Sequence, residues 1–241
     1  MTRLTTCPDP ETVATRAAAL VRREIDRALQ ERGAAHLGLS GGTTPARTYE
    51  LLGADGGTWS GVQIWFADER CVPPDDEESN YRLANETLLA PAGIDAAGVH
   101  RMQGELGPEQ GAGAYARELS EHLPRDGEDG PAVLDLIVLG IGPDGHVASL
   151  FPGAPTLQAP EEALCLGVVD SPKPPPARIT LSLGVLRAAR CCLLLASGSS
   201  KTDAISAMLA QPTPSVPASL LRRERLSVIV DDAAAPRGRR S

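Results

Sequence analysis

A carboxylate and an imidazole two residues apart, Asp144 and His146, stand inside the stretch "GIGPDGHVASLFPG" at positions 140–153. Histidine titrates near neutral pH and can act as a general base, and a neighbouring carboxylate fixes its tautomer and raises its basicity. The same stretch spaces Gly140, Gly142 and Gly145 as G-x-G-x-x-G after the apolar run "LDLIVL", with Asp170 closing another apolar run downstream. That spacing invites a dinucleotide-binding reading, which needs a long helix after the third glycine and a pyrophosphate resting on its free amides. Asp144 would put a negative charge among those amides, and Pro152 stops any helix after about two turns. The stretch reads instead as a turn that presents Asp144 and His146 on either side of a flexible glycine.

Three further polar stretches follow apolar runs. In "SGGTTP", Ser40, Gly41, Gly42, Thr43 and Thr44 form a tight, hydroxyl-rich turn. Thr44 can cap a helix and Pro45 suits its first position, so free N–H groups and a helix dipole would face an incoming phosphate. An ordinary strand-to-helix turn carries the same letters, and the terminal Gly-Lys of a Walker loop is missing. In "FADERCVP", Asp68, Glu69 and Arg70 stand where one arginine can hold a phosphate or a developing oxyanion, with a salt-bridged loop as the plainer alternative. "SGSSK" reads as a second anion cradle, in which Ser197, Ser199, Ser200 and Lys201 open a helix. Lysine occurs only at Lys173 and Lys201 among the 23 basic residues, which sets both apart.

Arg178 follows the rigid proline stretch "SPKPPPAR" and reads equally as exposed or as a ligand contact. The acidic run "PDDEESN" lacks the alternating ligands and central glycine of a calcium loop and reads as a solvated turn, with Ser79 as a helix cap. His36, His100 and His122 have no comparable surroundings and read as structural.

Elements must bring these stretches together. Pro10 and Gly33 bracket a segment with Val13, Ala17, Leu20, Val21, Ala28 and Leu29 on a 3.6-residue stripe, the pattern of a long amphipathic helix. Further helices are expected at Pro45 to Leu52, Asn80 to Leu89, Pro108 to His122, Val185 to Arg190 and Lys201 to Ala210. Between them, "AAHLGL", "VQIWFA", "VLDLIVLG", "CLGVV", "CCLLLA" and "LSVIV" are apolar nearly throughout, as suits parallel strands buried on both faces. This alternation predicts a doubly wound, mostly parallel Rossmann-like α/β sheet with helices on both faces. In such sheets ligands bind outside the carboxyl ends of the strands, so the four polar stretches would form one site.

Bulk properties narrow the classes. A chain of 241 residues with no Ser/Gly-rich linker is expected to be one compact domain over 1–241. A net charge of -8 and a pI of about 5.1 argue against nucleic acid and anionic membrane partners, so any anionic ligand must be caught locally. Five scattered cysteines without CxxC spacing suggest neither a disulfide framework nor a zinc site, and Cys191 and Cys192 read as core residues. No apolar signal core or membrane-length run is present, so a cytoplasmic location is expected.

Taken in order from about Leu37 to about Lys201, "SGGTTP", "FADERCVP", "ESNYRL", "LGIGPDGHVASLFPG", "PPPARITLSL" and "SGSSK" resemble the 6-phosphogluconolactonase family. The resemblance implies a fold related to glucosamine-6-phosphate deaminase and ribose-5-phosphate isomerase. It implies hydrolysis of 6-phospho-D-glucono-1,5-lactone in the oxidative pentose phosphate pathway, with no cofactor and no metal. Glucose-6-phosphate dehydrogenase would be the functional neighbour. On this pattern His146 deprotonates a water, Asp144 orients the imidazole, and Asp68 assists or contacts sugar hydroxyls. The 6-phosphate would rest on Ser40 to Thr44 with charge from Arg178 and Lys201, and Arg70 would serve the phosphate or the oxyanion.

The deaminase relatives continue their Asp-Gly-His motif as "DGHIAFNEP" with a catalytic glutamate, where this chain has Phe151. A phenyl ring neither accepts nor donates protons, which counts against a deaminase or phosphosugar isomerase. A non-catalytic sugar-phosphate-sensing module is a further alternative, disfavoured by the complete Asp-Gly-His and by the lack of a DNA-binding appendage.

Overall fold

The computed structural model describes residues 2–126 and 130–236, so positions 1, 127–129 and 237–241 of the expected 1–241 unit lie outside the described residues. The chain opens with β1 (Arg3–Cys7) and α1 (Pro10–Arg32). The Asp9 carboxylate accepts from Thr12 N at 2.7 Å at one end of α1, and Gly33 closes the other at φ 75. Asp9 satisfies one orphan donor, and glycine takes the left-handed closing turn without Cβ strain. There follow β2 (Ala35–Leu39), α2 (Thr43–Ala54), β3 (Val62–Phe66), β4 (Asp68–Arg70), α3 (Asn80–Ala84) and α4 (Pro108–His122). The second half supplies β5 (Leu136–Gly140), β6 (Cys165–Val168), β7 (Arg178–Leu181), α5 (Leu183–Ala188), β8 (Cys191–Ala196), α6 (Thr202–Leu209) and β9 (Leu226–Asp231).

Six strands form one parallel sheet in the order β1-β9-β8-β5-β2-β3, flanked by helices. Every residue of β2 is buried, as are Leu136 to Leu139 of β5, which is why these runs read as continuously apolar. Trp65, Tyr49, Tyr115 and Phe66 are the bulkiest of the fully buried side chains. The two tyrosine hydroxyls are partnered: Tyr115 accepts from Phe66 N at 2.8 Å, and Tyr49 donates to Ser40 O at 2.9 Å. An unpaired buried hydroxyl would cost about 1–3 kcal/mol.

Two parts of the architecture depart from expectation. The first strand, "RLTTC", shows no apolar run, yet it completes the edge of the sheet beside β9. More consequentially, "CLGVV" does not join the parallel sheet. It supplies β6 of a separate three-stranded sheet, β4-β7-β6, in which both pairings are antiparallel. Ala67 is the joint between the sheets: its N–H bonds Leu39 O at 2.7 Å, and its carbonyl accepts from Leu181 N at 2.8 Å. Helix α4 packs on β6 and β7.

Of the histidines set aside, His36 and His100 are structural, and His122 is exposed. His36 Nδ1 accepts from Trp65 Nε1 at 3.1 Å, and His100 lies between Glu118 and Gln63 at 2.7 and 2.8 Å. Cys192 is buried in β8 beside the half-buried Cys191, and all five cysteines are free. Among the described residues no helix is long and apolar enough to cross a membrane.

Candidate active site

Chain direction across the parallel sheet reverses between β2 and β5. From β2 the chain moves outward to β3, then returns to place β5 on the other side of β2, with β8 and β9 beyond. The carboxyl ends on either side of such a reversal splay apart and leave a crevice. Here the crevice is a cleft of about 220 Å³. It is lined by Ser40 to Pro45, Asp68, Arg70, Asn80, Gly140 to Pro143, His146, Ala148, Lys173, Arg178, Leu195, Ala196 and Lys201.

On one wall the turn after β2 enters α2. Ser40 is clamped by Tyr49 of α2, whose hydroxyl accepts from Ser40 N at 3.1 Å while donating to Ser40 O. The Ser40 hydroxyl in turn accepts from Gly140 N at 3.2 Å, tying the end of β2 to the end of β5. Gly41 passes so close to Asn80 that a Cβ would strike its side-chain oxygen, and Gly42 adopts φ 111, a backbone only glycine takes easily. The helix begins at Thr43 with Gly42 as its N-cap and no side-chain cap. Thr44 therefore does not cap the helix as expected, and Pro45 is its third residue. The consequence favours an anion, because among the described residues no side chain fills the first N–H groups of α2, at the positive end of its dipole.

On the facing wall the turn after β5 folds back on itself. Gly142 N donates to His146 O and Gly145 N to Gly142 O, both at 2.9 Å, closing a tight loop around Asp144. A Cβ on Gly142 would collide with His146 Nδ1 and Asp144 Oδ1, so this glycine is what lets the pair lie flat on the backbone. Ala148 takes φ 48, which costs an alanine about 1–2 kcal/mol and turns the chain back toward β7. His146 Nδ1 donates to Asp144 Oδ1 at 2.6 Å, leaving Nε2 as the basic nitrogen. Burial pushes the imidazole below its ordinary pKa, against the opposing pull of Asp144. Burial would raise the Asp144 carboxyl, but the His146 hydrogen bond and the charges of His146 and Lys173 hold it below its ordinary value. Phe151 is 2 % exposed and packs against the imidazole with centroids 4.6 Å apart.

The small sheet supplies the floor. Asp68 Oδ2 accepts from Ser149 Oγ at 2.7 Å and Oδ1 from Asn80 Nδ2 at 3.2 Å, joining the histidine loop to the start of α3. Glu69 turns the other way and accepts from the N–H groups of Asn80 and Tyr81, at 2.7 and 2.8 Å, and from Ser79 Oγ at 3.1 Å. Burial nevertheless pushes its carboxyl up. Glu69 is thus an anchor for α3, and Ser79 caps that helix by accepting from Arg82 N at 3.2 Å. Arg70 Nη1 donates to Glu78 O at 2.5 Å, while its buried Nε has no partner among the described residues.

All the expected site residues except Asp144 line this cleft, and Asp144 reaches it through His146. "SGSSK" departs from its reading as a cradle. Gly198 N already donates to both oxygens of Asp231, at 3.1 and 3.0 Å, so a carboxylate takes that amide. Lys201 alone of that stretch lines the cleft, its pKa pushed down by burial and by Lys173. Arg178 is buried, not exposed, and spends Nε and Nη2 on the carbonyls of Pro175, Pro174 and Lys173, at 3.0, 2.9 and 3.2 Å. Sequence reasoning missed Asn80 and Lys173 as cleft residues. The scarcity of lysine was the one available signal for Lys173.

An open parallel α/β sheet with a switch-point cleft, a bare helix start on one wall and a histidine–carboxylate pair on the other defines the class, a sheet-edge ligand-binding α/β protein. The particular family follows from comparison. Residues 8–230 match the family model described as Glucosamine-6-phosphate isomerases/6-phosphogluconolactonase, and the chain belongs to that family. It is 37% identical over 238 residues to the 6-phosphogluconolactonase of Streptomyces coelicolor, covering 94% of this chain and 91% of that one. With the 6-phosphogluconolactonase of Rattus norvegicus it shares 37% identity over 237 residues, 94% of this chain and 90% of that one. The crystal structure of a 6-phosphogluconolactonase from Shewanella baltica superposes with a TM-score of 0.84 at 30% identity, covering 96% of this chain and 98% of that one.

Proposed function

We propose that this chain hydrolyses 6-phospho-D-glucono-1,5-lactone to 6-phosphogluconate. The observation that carries the reading is the His146–Asp144 pair, 2.6 Å apart, facing the bare N-terminus of α2 across one cleft. Burial disfavours the imidazolium, and the Nδ1 bond to Asp144 leaves Nε2 as the basic nitrogen, the arrangement a general base needs near neutral pH.

In the reaction His146 Nε2 takes a proton from water as the water oxygen bonds to C1 of the lactone. The carbonyl electrons move to oxygen, giving a tetrahedral oxyanion. Its collapse breaks the bond from C1 to the ring oxygen, which takes the proton back from the imidazolium and leaves as a hydroxyl. The carboxylic acid formed at C1 then ionises. Asp144 holds the ring proton on Nδ1 throughout and stabilises the imidazolium between the two transfers. The phosphate rests on the amides and hydroxyls at Gly41 to Thr44, with Arg70, Arg178 and Lys201 supplying charge, and this anchoring converts affinity into orientation at C1. The Ser40 amide is committed to Tyr49 and takes no part. Asp68 fixes the floor beside the sugar hydroxyls. The substrate is an oxidation product of a phosphorylated aldose, so a glucose-6-phosphate dehydrogenase supplies it.

Phe151 separates this reading from amino-sugar ring opening, since the position facing His146 holds a buried phenyl ring. The test generates the lactone in situ and follows its loss with the wild type and His146→Ala. Acceleration over the spontaneous rate, largely lost in the variant, is the expected result. No acceleration by wild type overturns the reading, and ammonia release from glucosamine 6-phosphate would redirect it.

A further inference from the structure

Lys173 lies in the proline loop between β6 and β7, and its Nζ stands 3.3 Å from Asp144 Oδ1 and 3.3 Å from His146 Nδ1. The imidazole proton on Nδ1 points at Asp144, so the ammonium has no acceptor on the ring and donates to the carboxylate. Asp144 therefore bridges two donors, one from the imidazole and one from the lysine. The loop backbone is set for this contact. Ser171 Oγ donates to Lys173 O at 2.9 Å and accepts from Lys173 N at 3.2 Å, while buried Arg178 holds the carbonyls of Lys173, Pro174 and Pro175. A guanidinium otherwise suited to a ligand is thereby largely spent on fixing where one lysine begins.

We infer that Lys173 is a positioning residue, which holds the Asp144 carboxylate on the Nδ1 side of His146 and places a positive charge that disfavours the imidazolium. The inference rests on the proposed role of His146 as general base. Every charged group facing the ring enters the balance. Lys173 disfavours the imidazolium, Asp144 and Asp68 favour it, and the Arg178 guanidinium lies over Phe151, 5.7 Å from that ring's centre. Lys201 completes the cleft's positive side. A chain that otherwise uses arginine nearly everywhere keeps a lysine here, where a compact ammonium fits beside a carboxylate and a ring nitrogen.

The test titrates the imidazole carbons by NMR in the full chain, in wild type, Lys173→Met, Lys173→Gln and Lys173→Arg, with His146→Gln assigning one of the four histidines. Removing the charge is expected to raise the His146 midpoint by about half a unit or more, and Lys173→Arg is expected to keep it near wild type. The acid limb of kcat/KM for lactone hydrolysis should move with the midpoint. An unmoved midpoint in both neutral variants, or an equal rise in the arginine variant, overturns the inference. The Lys173 side chain is partly exposed, and the two neutral variants guard against misfolding of either. The NMR arm needs no turnover. Inactive wild-type protein would therefore sink the lactonase reading while still deciding the role of Lys173.

Discussion

Two glycine-rich turns leave neighbouring parallel strands at the same edge of the sheet, yet they present different chemistry. After β2, "SGGTTP" runs straight into a helix and offers backbone N–H groups at a dipole's positive end. After β5, "GIGPDGH" doubles back before any helix can start and offers side chains, His146 and Asp144. Glycine serves both, by different means. Gly42 supplies a backbone conformation, whereas Gly142 supplies the absence of a Cβ under the imidazole. One wall is thus suited to capture and the other to proton transfer, a division that substitutions can break or sharpen.

The sharpest cut is His146→Ala, expected to lower kcat by about 10² to 10⁴ with little change in KM. Steady-state kinetics showing lost affinity at unchanged turnover would erase the distinction between the walls. Next in size is Gly142→Ala, whose methyl must push the pair out of place. A displacement of about 1 Å at a reacting group costs on the order of 10²-fold, again in kcat. Retained turnover would show that the loop, unlike a rigid scaffold, can absorb the methyl.

Gly42→Ala acts on the other wall. Forcing alanine into that backbone costs about 1–3 kcal/mol and shifts the amides of Thr43 and Thr44, so KM should rise roughly tenfold while kcat holds. The smallest effect belongs to Ser149→Ala, which removes one donor from Asp68. A hydrogen bond of about 1 kcal/mol corresponds to a loss of roughly fivefold in kcat/KM.

A pH profile completes the series. The folded-state pKa of His146 is depressed below its ordinary value, so the base form persists to lower pH and the acid limb of kcat/KM should fall below about pH 6.5. Asp144→Asn removes a charge that favours the imidazolium and should move the limb further down. Movement upward would mean that Asp144 does not face the imidazolium.

The parallel sheet was legible because strands buried on both faces leave uninterrupted apolar runs, as in "LIVLG" and "CCLLLA". Helix α1 was legible to within a residue at both ends, because Pro10 and Gly33 are local stop signals. The small sheet was not. Its strands are three or four residues long, and the pairing of Asp68 with Thr180 spans more than a hundred residues, so "CLGVV" carries no sign of its antiparallel partner. The roles of Glu69 and Arg178 escaped for the same reason. Their residue types suit ligand contact, and only the groups lying beside them show that Glu69 anchors α3 and that Arg178, besides lining the cleft, grips a loop.

By itself, then, the sequence determined the kind of chemistry: an imidazole beside a carboxylate, a hydroxyl-rich turn before a helix, and a phenylalanine where an acid would make a different enzyme. Those are matters of residue type and short spacing, set along the chain. Tertiary structure alone decided which charges act together. It brought Lys173 to the Asp144 carboxylate from 29 residues away, and it set Asp231 under the "SGSSK" turn that had read as a second cradle. Electrostatic coupling depends on distance and burial in three dimensions, and neither is written in the order of residues.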